Sequence, residues 1–239
     1  MSALLGLLFL AASPGHDSAS RVLERELPSP DDSYLLLELP DGGLRASRFA
    51  GADQPAPLGS LTKPFVALAY GAGHDFRFPQ RRCESGCWRP GGHGPVGVVQ
   101  AIAHSCNVYF RELAAAARPE DLSAVALRYG LSEDWQASPL TIARAYAELA
   151  VRSAESGVPP LLEGMRRCAL EGTGRAAGEP ALLKTGTAPC VHPRRAPGDG
   201  YAVAMFPPEH PRLLLLLRVH GAPGSEAARR VGQMIRLLR

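Results

Sequence analysis

Apolar and polar positions change period twice along the chain. Residues 33–49, SYLLLELPDGGLRASRF, run as an apolar segment, close on Asp41-Gly42-Gly43 and leave with alternating polarity, the pattern of a β-hairpin. A Pro- and Gly-rich connection follows, then an apolar segment of helical composition over residues 64–70. Residues 71–95 are rich in Gly, Pro and Arg without periodicity and read as a long loop. From residue 96 to about residue 175, apolar side chains recur at three- and four-residue spacing, as in VGVVQAIAHSCNVYFRELAAAA, PEDLSAVALRYG and SPLTIARAYAELAVRSAE. Pro119-Glu120-Asp121 and Ser138-Pro139 supply helix starts. The last third returns to strands in ALLKTGTA, YAVAMFPP and RLLLLLRVHG, and ends on the helical SEAARRVGQMIRLLR. There are no internal repeats.

Two strands alone are not stable, so the hairpin is expected to join the three later strands in one sheet. The pattern therefore predicts an α+β fold: a mainly antiparallel five-stranded sheet, two N-terminal plus three C-terminal strands, with an inserted all-helical lobe over about 94–178. The boundary between sheet and lobe is a natural place for a cleft. Ahead of this domain, which runs over 20–239, residues 1–19 carry an apolar run at positions 3–12 followed by small residues. That run is too short to span a bilayer and reads as an export signal, although no Lys or Arg precedes it; the competing reading is a buried N-terminal strand or helix.

Composition adds little but excludes some classes. Hydrophobic residues make up 46% and charged residues 21%, an ordinary globular balance. The net charge is only +3, and interleaved basic and aromatic residues are absent, so no nucleic-acid partner is expected. Cys83 and Cys87 in CESGCW are close enough to pair in an oxidising compartment. As zinc ligands they fall two short: His74 and His93 are the only nearby imidazoles, and no second CxxC or HxxxH accompanies them. No metal and no cofactor is therefore expected, and Cys106, Cys168 and Cys190 read as unpaired or buried thiols.

The basic residues carry the chemistry. Only two of the 26 are lysines, Lys63 and Lys184; the rest are arginines. Lys63 stands three residues after Ser60 in GSLTKPF, at the start of a predicted helix, so both side chains share a face. A serine hydroxyl needs a neighbouring base to become a nucleophile. A lysine can serve if burial and the helix N-terminus lower its pKa; an arginine stays protonated. Lys184 stands in LLKTGTA beside Thr185, Gly186 and Thr187, an ammonium and two hydroxyls for an anionic group. Chance dealing of two lysines over the basic positions would hit both places about one time in 325. The third element is SCN, where Ser105 and Asn107, the chain's only asparagine, can both face a cleft if the helix breaks there.

In this order SLTK, SCN and KTG, the chain resembles the penicillin-binding transpeptidases and serine β-lactamases, whose motifs are S-x-x-K, S-x-N and K-T-G. The flanks GSLTKPFVALA, GGHGPVGVVQAIAHSCNVYF, SPLTIARAYAELA, EGTGRAA and LLKTGTA look most like the transpeptidase domain of high-molecular-mass penicillin-binding proteins, over roughly residues 33–239. The resemblance implies that Ser60 is the acylated nucleophile, Lys63 its base, and Ser105 a relay to the leaving amine coupled to Lys184. It implies that Asn107 binds the peptide's backbone amide and that Thr185 and Thr187 hold its terminal carboxylate. The Ser60 and Thr187 N–H groups would form an oxyanion hole worth about 3 kcal/mol per donor. The implied substrate is a peptidoglycan stem peptide ending in D-Ala-D-Ala, with β-lactams as mimics, cell-wall synthesis proteins as partners and a periplasmic or cell-envelope location. No pedestal or glycosyltransferase domain precedes the hairpin, so the expected unit is a stripped catalytic module.

Two other classes compete. A β-lactamase needs a deacylation base; the class A E-x-x-[L]-N loop is excluded because Asn107 is the only asparagine, and class D writes S-x-V where this chain writes SCN. Glu133 and Glu155 are the remaining loop carboxylate candidates for that base. A non-catalytic β-lactam sensor would need a membrane-spanning partner domain. Within the favoured class, SLTK also suits D,D-carboxypeptidases, which use water as acceptor.

Overall fold

The computed structural model describes residues 14–132, 134–190 and 195–239. Residues 1–13, most of the expected export segment, lie outside the described residues, as does Glu133. The described chain opens with helix α1 (Pro14–Glu26), which the hydrophobic pattern did not single out. Strands β1 (Asp32–Glu38) and β2 (Leu44–Arg48) then form the expected hairpin, with Gly42 at φ +70° in its turn. A 3-10 turn (Gly59–Thr62) runs into α2 (Lys63–Ala72), with Pro64 in the first helical turn where its missing N–H costs nothing.

The loop expected over 71–95 holds one short antiparallel pair, β3 (Arg81–Cys83) with β4 (Gly94–Val96). Three residues per strand are too few for an alternation to register in sequence. The helical lobe follows as α3 (Val98–Ala103), α4 (Asn107–Ala116), α5 (Pro119–Arg128), α6 (Pro139–Val151) and α7 (Val158–Leu170). Ser138 caps α6 by accepting from the Thr141 N–H. The apolar spacing runs unbroken through residues 96–117, yet the backbone breaks there into α3 and α4.

The chain closes with β5 (Leu182–Ala188), β6 (Asp199–Phe206), β7 (Leu213–Val219) and α8 (Gly224–Leu238). The sheet order is β2-β1-β7-β6-β5, with every neighbouring pair antiparallel, so the N-terminal hairpin joins the C-terminal strands as predicted. β7 shows why the sheet is buried on both faces: Leu214 and Leu216 pack with Tyr201, Val203 and the lobe, whereas Leu215 and Leu217 pack with Leu23 of α1 and Val231 and Ile235 of α8. A continuous leucine run is the signature of such a two-sided strand. β5 is left as the edge strand beside the lobe. Among the described residues, no helix is long and apolar enough to cross a membrane.

Candidate active site

The 3-10 turn that carries Ser60 is wedged against the edge strand. Gly59 takes φ +54°, and a Cβ there would lie 2.4 Å from the Thr187 carbonyl oxygen, so only glycine allows turn and strand to meet. Across the strand, Gly186 brings its backbone against the Leu58 carbonyl. From behind, the buried Tyr146 hydroxyl on α6 donates to the Leu61 carbonyl at 2.7 Å. Ser60 is thus held by backbone contacts on both sides and remains partly exposed. No hydrogen bond among the described residues engages its hydroxyl.

Lys63, one turn further on, is buried. Its Nζ donates to the Ser105 carbonyl at 2.7 Å, to Ser105 Oγ at 3.2 Å and to Asn107 Oδ1 at 2.6 Å. Spacing put Lys63 on one face with Ser60; its described hydrogen bonds run to the second motif, where three acceptors satisfy its three donors.

Those acceptors converge because the helix breaks at the second motif. Ser105 sits between α3 and α4 at φ +52°, a left-handed conformation uncommon for a side-chain-bearing residue and costing about 1–2 kcal/mol. Cys106 then turns back to an extended conformation as the N-cap of α4, and Asn107 opens that helix. Hydroxyl and amide therefore face the same buried space, the condition the sequence pattern set for them. Asn107 Oδ1 is taken by Lys63, which leaves its amide N–H groups to donate elsewhere.

Lys184 enters from β5. Its side chain is fully buried, and its Nζ donates to Ser105 Oγ at 3.0 Å and to the Thr185 carbonyl at 2.7 Å. Two lysines 121 positions apart thus donate into one hydroxyl oxygen. A hydroxyl has two lone pairs and one hydrogen, so Ser105 keeps its O–H free to donate onward. Thr185 exchanges a 2.5 Å hydrogen bond with Thr173, and Thr187, exposed, accepts from the Gly224 N–H at 3.0 Å.

Burial disfavours the charged form of Lys63, and the ammonium of Lys184 adds to it, bringing its pKa down from 10.5 to about 7. Burial likewise lowers Lys184 to about 8. An amine poised near neutrality can trade a proton with a serine; one at 10.5 cannot at the same pH.

Three further residues support the site and were not singled out from sequence. Thr173, inside EGTGRAA, approaches Thr185 across 12 positions. Trp88 donates its indole N–H to the His104 and Ser105 carbonyls at 3.1 and 3.2 Å, clamping the break from outside. Tyr146 fixes the Ser60 turn through the Leu61 carbonyl. A tryptophan in a Gly-rich loop was the one available signal. The fold also supplies what Cys83 and Cys87 lacked in sequence: His93 and Cys106 join them, with all four candidate ligand atoms within 4.8 Å of one another. Glu155 is paired to Arg128 and Arg152, in a network that none of the site residues joins.

No family model matches the chain, and no curated protein matches it in sequence. Solved structures do. Pseudomonas aeruginosa PBP2 in complex with WCK 5153 superposes at a TM-score of 0.77 with 17% identity, over 94% of this chain and 74% of that one. The Helicobacter pylori penicillin-binding protein (PBP2) in complex with MreC gives 0.75 and 16%, over 92% and 62%. The transpeptidase domain of the Legionella pneumophila D,D-transpeptidase FtsI4 gives 0.68 and 16%, over 95% and 96%. The chain has the fold of penicillin-binding transpeptidase domains.

Proposed function

We propose that this chain is a penicillin-binding serine acyltransferase of the D,D-transpeptidase type, acting on peptidoglycan stem peptides that end in D-Ala-D-Ala. The observation that carries this reading is the convergence of Lys63 and Lys184 on Ser105 Oγ, at 3.2 and 3.0 Å, beside a serine on a backbone-locked turn. Structural ion-pair lysines meet carboxylates; here the described hydrogen bonds of both run to neutral oxygens, an arrangement suited to moving a proton.

Ser60 Oγ attacks the carbonyl carbon of the penultimate D-Ala and gives its proton to the neutral amine of Lys63. The oxyanion is received by backbone N–H groups where the Ser60 turn meets β5 at Thr187. As the C–N bond breaks, Ser105 passes its hydroxyl proton to the leaving nitrogen and is replenished from the lysines that donate to it. Asn107 donates to a backbone carbonyl of the bound peptide, and Thr185, Thr187 and Lys184 receive its carboxylate. An amine of a second stem peptide, or water, then takes the acyl group from Ser60. β-Lactams enter as substrate mimics, and cell-wall synthesis proteins and an envelope location follow from the same reading.

Incubation with a fluorescent penicillin, followed by intact-mass spectrometry, tests it. One adduct per chain is expected, absent in Ser60→Ala; no adduct, or an adduct that survives Ser60→Ala, overturns the assignment. An adduct lasting minutes or longer separates this reading from a β-lactamase, for which rapid nitrocefin turnover is the mark.

A further inference from the structure

Four soft ligands meet on the outer side of the second motif. Cys83 ends β3, Cys87 lies in the connection, His93 precedes β4, and Cys106 is the residue between Ser105 and Asn107. Their spacing is C-x3-C-x5-H-x12-C, and their burial runs from complete at Cys83 and Cys106 to partial at Cys87 and His93. His93 Nδ1 lies 3.6 Å from Cys83 Sγ and 3.5 Å from Cys87 Sγ. A tetrahedral zinc with sulfur at about 2.3 Å and nitrogen at about 2.0–2.1 Å sets the N···S edge at about 3.6 Å.

We propose that Cys83, Cys87, His93 and Cys106 bind one zinc ion in a closed Cys3His site that fastens the β3–β4 connection to the S-C-N turn. Sulfur and imidazole donors without a carboxylate suit zinc over calcium, magnesium or manganese. Four protein ligands leave no open position, so the ion is structural and takes no part in acyl transfer. Binding converts three thiols to thiolates and releases their protons. The surroundings fit the charge that results: the Asn107 backbone N–H donates to Cys87 Sγ at 3.3 Å, as supporting donors do around a metal thiolate. The ligands are also aimed by the fold. Cys83 is fixed opposite Gly94 in the strand pair, the His93 N–H donates to the Cys83 carbonyl at 2.8 Å, and the Trp88 ring meets His93 edge-on at 5.5 Å.

The need for such a fastener is visible in the connection itself. Residues 84–93 form no regular secondary structure, yet they carry Trp88, the clamp on the Ser105 carbonyl. A metal cross-link closes this loop at a small entropic cost and holds the clamp in place.

Metal content of protein purified under reducing conditions without chelator, followed by Zn2+ titration of the chelated, reduced protein and its Co2+ replacement, tests the site. The expected result is one zinc per chain, and with cobalt the intense visible bands of a tetrahedral ion plus a thiolate charge-transfer band. Cys87→Ser and His93→Gln, both at half-buried positions, should each weaken zinc binding by more than about 100-fold, whereas Cys190→Ser leaves it unchanged. Failure of the reduced wild-type chain to take up zinc or to give the cobalt spectrum overturns the proposal. So does a Cys83–Cys87 disulfide whose reduction restores no zinc binding, or wild-type affinity in both ligand variants. The readout is taken without penicillin, so its failure is distinct from any failure of Ser60 acylation.

Discussion

In the proposed reaction Lys63 is defined by the proton it must lose. Arginine at this position keeps the charge and loses the basicity, so Lys63→Arg should acylate as slowly as Lys63→Ala, about 10²–10⁴-fold below the natural chain, by stopped-flow with a chromogenic β-lactam. Acylation by the arginine variant at near-natural rates would remove Lys63 from the role of base. The pH dependence follows with its sign. Below about 7 Lys63 is an ammonium and cannot accept a proton, so the rate climbs as pH rises through that value. In the same proposed reaction Lys184 acts as a cation, and its charge is lost through about 8, so the rate then declines. A narrow bell between these limits is expected; a rate rising steadily to pH 10 would contradict it. That Lys63, Ser105, Asn107 and Lys184 belong together was legible in sequence, because lysine and asparagine are so rare in this chain. The partner that each lysine chooses was not legible, since Lys63 is 42 positions from Ser105 and Lys184 is 79.

At the scale of elements, the site depends on two pieces of backbone that propensity argues against. One is the Gly59 turn on β5. Gly59→Ala places a methyl group 2.4 Å from the Thr187 carbonyl and strains φ as well, so turn and strand must separate. Acylation should fall by at least about 10-fold, with a thermal shift showing a loss of about 1–3 kcal/mol; natural acylation in this variant would show that the contact does not align Ser60. The other is the break between α3 and α4. Stripping the proposed zinc with a chelator should lower the melting temperature and slow acylation, and re-adding Zn2+ should restore both. Unchanged acylation after proven metal loss would mean that the connection over 84–93 positions nothing. Hydrophobic spacing runs through this break, so sequence predicts one helix; it takes the left-handed Ser105 and the contacts around it to split the segment. The three-residue strands β3 and β4 escaped notice for the opposite reason, having too few positions to show a period.

For the whole molecule, β7 is shared by both hydrophobic layers. Leu216→Ala opens a cavity on the lobe side and Leu217→Ala on the side of α1 and α8, each costing about 2–5 kcal/mol. Because one strand serves both layers, urea unfolding of either variant should remain a single transition with an unchanged slope, shifted to lower denaturant. Two resolved transitions would show that lobe and sheet fold independently.

Local information determined much of this protein: the hairpin, the C-terminal strands, most helices and the three motifs follow from residue type and spacing within short windows. Tertiary structure alone decided which distant groups meet. Thr173 reaches Thr185, Trp88 reaches the Ser105 carbonyl, and Cys106 completes a ligand set begun 23 positions earlier. Periodicity reports the face a side chain prefers. Which side chains then share that face is settled only when strands register and helices pack.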